Sequence, residues 1–247
     1  MMLALATLVT FVLTTTFSMA GVGAAIVLIP VFLAFGIELH TAMATALLLN
    51  AVAMTVASVT FVRKRLVVWP LVLPMLALAV IASPFGVRLA QHLDRSLLLW
   101  LFVAFLIFAS TMMLWYRPRT RPAQGSTAAA LALGLPVGAA AGFVGGLLGV
   151  GGGNIIVPAL VVSGLEPKRA AASASFVVLF ASLAGFLAHV TVAQIGTGLL
   201  VSTAVASAAG AALGAWLASE KLRAEQLKRI IAIVLIAVAA KTAWGLL

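Results

Sequence analysis

Gly145-Gly146-Leu147-Leu148-Gly149-Val150-Gly151-Gly152-Gly153-Asn154 separates an apolar stretch ending at Leu148 from a short apolar piece, Asn154–Val162. Four of the five residues from Gly149 to Gly153 are glycine. Each costs a helix interior about 1 kcal/mol relative to alanine, so a continuous helix cannot run through them. The piece beyond the break, at about 1.5 Å per residue, reaches only about halfway across a hydrocarbon core. It reads as a half-helix starting near Asn154 and carrying Pro158. Such a start presents unpaired N–H donors and the positive end of the helix dipole, and glycine lets a ligand approach the main chain. Anions bind well at such ends.

The break occurs twice. Sliding the sequence along itself by 128 residues (149 − 21) places Gly21-Val22-Gly23 on Gly149-Val150-Gly151 without a gap. In the same register Pro30 falls on Pro158, Gly36 on Gly164, Glu38 on Glu166, Thr45 on Ser173 and Gly86 on Gly214. Alanine matches mean little in so apolar a chain; the Gly, Pro and Glu matches in one register point to an internal duplication. A second half-helix, Ala24–Ala34, follows the first break.

Around these breaks lies a membrane protein. Of 247 residues 64% are hydrophobic and 8% charged, with a mean hydropathy of +1.26, against about a quarter charged in soluble domains. Eight stretches are long enough to span a bilayer: Met2–Met19, His40–Val62, Val67–Val87, Ser96–Trp115, Ala128–Leu148, Ala170–His189, Gly196–Ala218 and Ile230–Leu247. Ser18-Met19-Ala20 resembles a signal-peptide cleavage site, but no Lys or Arg precedes Arg63, so the first stretch is expected to stay as a helix. The Arg- and Pro-rich residues Tyr116 to Thr127 read as a linker on the cytoplasmic side. The expected domains are a first transmembrane repeat over 1–115, a linker over 116–127 and a second repeat over 128–247.

The net charge of +10 would suggest nucleic acid in a soluble protein. Here the bases cluster in short connections, as cytoplasmic loops do, and no nucleic-acid partner is expected. Arg63-Lys64-Arg65 has the uncharged mate Thr191-Val192-Ala193, whereas Glu38-Leu39-His40 has the mate Glu166-Pro167-Lys168-Arg169. Equivalent loops thus carry opposite charge character, and the positive-inside rule puts them on opposite faces. The expected fold is an all-α polytopic protein of two inverted repeats, each of four full transmembrane helices plus one half-helix, giving eight to ten membrane segments.

Candidate binding groups are few. Gly21 and Gly23 in the first break would face Gly149, Gly151, Gly152, Gly153 and Asn154 in the second across the pseudo-symmetry axis. Thr45 and Ser173 are symmetry mates in the helices that follow, with Asn50 and Ser175 near by; their side chains either complete an anion's hydrogen bonds or bond back to their own helix. Gly138, Gly142 and Gly146 fit close helix packing, Glu38 and Glu166 fit first-turn capping, and Arg88 and Lys241 sit near span ends where they would snorkel. Arg169 is placed to attract an anion to the inner mouth, while His189 reads first as a satisfied interfacial histidine and second as a proton carrier. No span has a carboxylate at its centre, which disfavours a cationic substrate. Cysteine is absent, and three scattered histidines make no metal cluster. There is no P-loop, metalloprotease motif or Ser/His/Asp set, so an enzyme, an ATP-driven pump and a bound cofactor are not expected.

The duplicated break followed by Pro and Gly, with Gly149 to Pro158, Gly164 and Arg169-Ala170-Ala171-Ala172-Ser173-Ala174-Ser175, resembles the TauE/SafE family of membrane permeases over essentially the whole chain. The first copy departs from the family's pattern with Ala24 and Ala25 where further glycines are usual. The resemblance implies movement of small sulfur-containing anions such as sulfite and sulfoacetate. The expected function is a secondary transporter of a small anion in the bacterial cytoplasmic membrane, with the lipid bilayer and the anion as partners and a homodimer compatible with it. A non-transporting membrane scaffold and a passive anion channel are the alternatives.

Overall fold

The computed structural model describes residues 2–115, 127–189, 197–220, 233, 236, 239, 240 and 242–244. Among them the chain forms nine contiguous helices and no strands: α1 (Met2–Met19), α2 (Ala25–Ala34), α3 (Leu39–Arg63), α4 (Trp69–His92), α5 (Arg95–Trp115), α6 (Thr127–Leu148), α7 (Gly153–Val162), α8 (Pro167–His189) and α9 (Thr197–Glu220). Six of these, α3, α4, α5, α6, α8 and α9, are long and apolar enough to cross a membrane. At 18 residues, or about 27 Å, α1 falls just short of a typical hydrocarbon core, and the 10-residue α2 and α7 reach about half of one. Most of the expected stretch Ile230–Leu247 lies outside the described residues, as do all of the linker to residue 126, Thr191–Ala193 and the bases from Lys221 to Arg229.

Several helix boundaries keep the 128-residue register. The pair α2 and α7 starts and ends in the same register (153 − 25 and 162 − 34), as does the pair α4 and α9 (197 − 69 and 220 − 92). Side-chain environment follows: Leu73 on α4 and its mate Val201 on α9 both point outward, 58% and 63% exposed. Packing also repeats, for α4 lies along α6 while α9 lies along α1.

Small residues make these pairings close. A side chain at Gly138 would enter the backbone of Met75, at Gly142 that of Ala79 and at Gly146 that of Ser83. The numbers rise together, so α4 and α6 run parallel. Gly86 is pressed on Phe143 and its mate Gly214 on Thr15, the mate of Phe143. In lipid, apolar burial gains little over lipid contact, so helices associate through close backbone approach of this kind and through interhelical hydrogen bonds.

The centre is formed by α3 and α8, the most buried of the long helices. His40 faces His189, Leu47 lies at Gly185 and Asn50 bonds Ser182. One number rises as the other falls, so these two mates run antiparallel. Consequently the end of α3 carrying Arg63, Lys64 and Arg65 lies beside the start of α8 carrying Lys168 and Arg169; there the Val68 N–H donates to Ser173 Oγ at 3.0 Å. At the other end Glu38 caps α3, its carboxylate accepting from the N–H groups of His40 and Thr41, both at 3.0 Å. Burial pushes the Glu38 carboxyl upward, but the two backbone bonds and nearby His40 outweigh it and leave the group below the usual carboxylate value.

Candidate functional site

Both breaks are sharp turns that only glycine enters without strain. Gly21 and Gly149 each adopt φ +70°, and Gly23 and Gly151 adopt φ +72° and +75°. The left-handed region costs an L-residue roughly 1–2 kcal/mol. Gly36 and Gly164, at φ +79° and +99°, terminate the two half-helices in the same way.

The turns end α1 and α6 short of the far side of the bundle. Gly146 lies at the level of Ser83, and α4 continues beyond it to His92. The breaks therefore lie inside the protein, and Gly21 to Ala24 and Gly149 to Asn154 are buried throughout. They also meet. A Cβ at Gly153, the first residue of α7, would lie 2.6 Å from Val22 Cα, and one at Gly21 would enter the Ala171 carbonyl group. The start of one half-helix thus abuts the opposite break, beside the α3–α8 crossing. Among the described residues no backbone acceptor pairs with the N–H groups of Gly153 or Asn154. These are the free donors expected of a helix start.

Polar side chains gather on the second break. Asn50 Nδ2 donates to Ser182 Oγ at 2.9 Å, bridging α3 and α8. Both side chains crowd Gly151, where a Cβ would lie 2.6 Å from Asn50 Nδ2 and closer still to Ser182 Oγ. Gly23 is pressed on the same Asn50 side chain from the first break. Asn154 is 1% exposed, yet neither its Oδ1 nor its Nδ2 has a hydrogen-bond partner, and Asn50 Oδ1 has none either. An unsatisfied buried amide group costs about 1–3 kcal/mol, and such an exception in a native fold calls for an explanation.

The other sequence candidates are placed differently. Thr45 and Ser175 are buried, but each hydroxyl donates to the carbonyl one turn back, Thr41 and Ala171, at 2.7 Å. Their one hydrogen is thereby engaged. Ser173 Oγ receives the Val68 N–H and so tethers the α3–α4 loop. Arg169 is exposed at the start of α8, and His189 is fully buried at its end, with the Gly146 backbone facing its ring. Ser182 was absent from the sequence candidates because its mate is Met54, so the repeat comparison carries no trace of it. A position one turn beyond Val178, itself the mate of Asn50, was the available clue.

A narrow apolar crevice flanks the second break, lined by Ile29, Met43, Phe102 and Leu148 among others. Its walls offer no hydrogen-bond donor to an anion. The donors lie instead at Gly153, Asn154, Asn50 and Ser182. Among the described residues no group of three His, Asp or Glu side chains is disposed to hold a metal ion.

Comparison with known proteins identifies the family. The family profile described as sulfite exporter TauE/SafE matches residues 6–242. A probable membrane transporter protein, YunE of Bacillus subtilis (strain 168), is 30% identical over 105 residues, which cover 42% of this chain and 38% of that protein. The sulfite exporter TauE/SafE family protein 1 of Arabidopsis thaliana is 52% identical over 42 residues, 17% of this chain and 9% of that protein. The chain thus aligns with well under half the length of either relative. No solved structure matches. With its profile match extending over nearly all of a multi-pass helical chain, the protein belongs to the sulfite exporter TauE/SafE family of membrane transporters.

Proposed function

We propose that this chain is a secondary transporter of a small anion, sulfite or another sulfur oxyanion or organosulfonate, in the bacterial cytoplasmic membrane. The anion binds where the two breaks meet. The observation that carries this reading is Asn154: a fully buried carboxamide with no partner, at the start of a half-helix whose first N–H groups are also free. Backbone donors at Gly153 and Asn154, with the Asn50 and Ser182 side chains, offer an oxyanion several hydrogen bonds and the helix dipole without a fixed cation. A site that binds without full charge neutralisation also releases, which transport requires. The names of the two relatives, one a probable membrane transporter and the other a sulfite exporter family protein, support the class of function and the class of substrate.

The two copies cross the membrane in opposite orientations in this reading. Support comes from the antiparallel α3 and α8, and from Arg63–Arg65 lying beside Lys168 and Arg169, so that these two basic clusters, one from each copy, share one face. Rocking of one copy against the other about the crossing would expose the breaks to either side in turn.

Flux of radiolabelled sulfite, thiosulfate and sulfoacetate into proteoliposomes tests the activity, and counterflow exchange separates a carrier from a passive channel. If none of the anions moves, the transport reading fails. Cysteines introduced singly at Lys64 and Lys168, in this cysteine-free chain, are expected to react from the same face. Labelling from opposite faces would sink the inverted arrangement.

A further inference from the structure

Because α3 and α8 are antiparallel, the start of one and the end of the other come together, and with them two of the chain's three histidines. The rings of His40 and His189 have centroids 6.1 Å apart and are tilted by 41°. His189 is fully buried and neither ring nitrogen has a hydrogen-bond partner; His40 Nδ1 is also buried without one. A neutral imidazole has one N–H and one lone pair, so His189 leaves both a donor and an acceptor unsatisfied. That is costly in a protein interior unless something comes to the group.

The surroundings limit what that is. From the turn before α3, the Glu38 carboxylate faces both rings electrostatically. From α4, Gln91 Nε2 donates to the Ala188 carbonyl at 3.4 Å, and the same last turns carry Arg88 and His92, with His92 Nδ1 at 2.7 Å from the Arg88 carbonyl. The α4–α5 turn adds Asp94 and Arg95 at this end, while α6 and α7 contain no titratable side chain. The Gly146 backbone faces the His189 ring outside hydrogen-bonding geometry. The pair is also one-sided: its mates are Lys168 and Phe61, at the opposite end of the same crossing. Half-buried His40 gives solvent a route to one ring.

The geometry points to a shared proton site: His40 and His189 together bind one proton from the aqueous phase on the face away from Arg63–Arg65. An imidazolium on one ring donates to the lone pair of the other, a charge-assisted bond that closes α3 against α8 at this end, and Glu38 balances the charge. A second proton sets two like charges against each other and opens it. If the chain transports by the rocking proposed above, this site couples the motion to protons; that role rests on the transport reading, and the proton site itself does not.

Histidines labelled at Cε1 in the full-length protein in nanodiscs give three NMR signals, with exposed His92 as the internal reference. His40 and His189 are expected to titrate as a coupled pair in two steps more than about one pH unit apart, and His189→Phe, which installs the residue of its mate Phe61, is expected to return His40 to a single step. Independent one-step titration of both rings, or a His40 curve unaltered by His189→Phe, overturns the site. In proteoliposomes His189→Phe should abolish any dependence of flux on an imposed pH gradient while counterflow exchange persists. An unchanged gradient dependence overturns the coupling role. Absence of flux in the unaltered protein removes that role with the transport reading and leaves the proton site to the NMR result.

Discussion

At the first break the chain turns through Gly21 and Gly23 and enters α2 from Ala24 at φ −92°; at the second it turns through Gly149 and Gly151 and enters α7 from Gly152 at φ +79°. The scaffold is shared up to that residue and then parts company. Where the second half-helix opens with Asn154, the first has Ile26; where α3 carries Asn50, α8 has Val178; where α8 carries Ser182, α3 has Met54. The turns are alike at both breaks, because left-handed backbone and close contact strain any other residue there. The polar groups occur once each, drawn from both copies. The anion site proposed above therefore draws on polar groups from both halves of the chain and lies on the side of Gly152.

The largest difference between the breaks is expected from their entry residues. Gly152→Ala forces alanine into left-handed backbone and its Cβ into the Ala141 carbonyl. Together these cost about 2–5 kcal/mol. The mate change Ala24→Gly costs at most about 1 kcal/mol, since the backbone at Ala24 is already open to any residue. Melting of the two variants in detergent checks this, and equal losses would mean that the breaks are structurally equivalent after all. Next in size, Asn50→Val copies the second half into the first, removes the bond to Ser182 and leaves a buried hydroxyl without its donor. A loss of about 1–3 kcal/mol is expected, with weaker anion retention in the same preparation. Smallest are Thr45→Ala and Ser175→Ala, whose hydroxyls bond their own helices. Each should change stability by less than about 0.5 kcal/mol and leave flux unaltered; a substantial loss of flux would move the site away from the breaks and into these helices.

Much of this arrangement was legible because membrane helices are written in long apolar runs and the break in glycines. The half-helix Ala25–Ala34 begins one residue after its sequence estimate and Gly153–Val162 one residue before, since helix starts fray by a residue or two. The start of α4 is at Trp69 and its end at His92, five residues past the expected Val87, because Arg88 and Gln91 lie on a turn that polarity alone does not distinguish from a loop. The partners of polar side chains were not legible. Thr45 and Ser173 are mates in sequence, but one bonds its own helix and the other a loop more than a hundred residues away, a distinction set by what packs above each. Ser182 and the facing of His40 on His189 depend on the antiparallel register of α3 and α8, which no local pattern records.

The central claim is that the second break binds the anion through Asn154, and Asn154→Ile tests it most directly by giving the second half-helix the residue of the first. Because neither polar atom of Asn154 has a partner, the variant should melt no lower than the parent protein. Equilibrium binding of radiolabelled sulfite, thiosulfate and sulfoacetate to both proteins in detergent is the measurement. The account predicts saturable binding of at least one of these anions to the parent protein, weakened tenfold or more, equivalent to about 1.4 kcal/mol, in a folded Asn154→Ile variant. A folded variant that binds the same anion as tightly as the parent would contradict it.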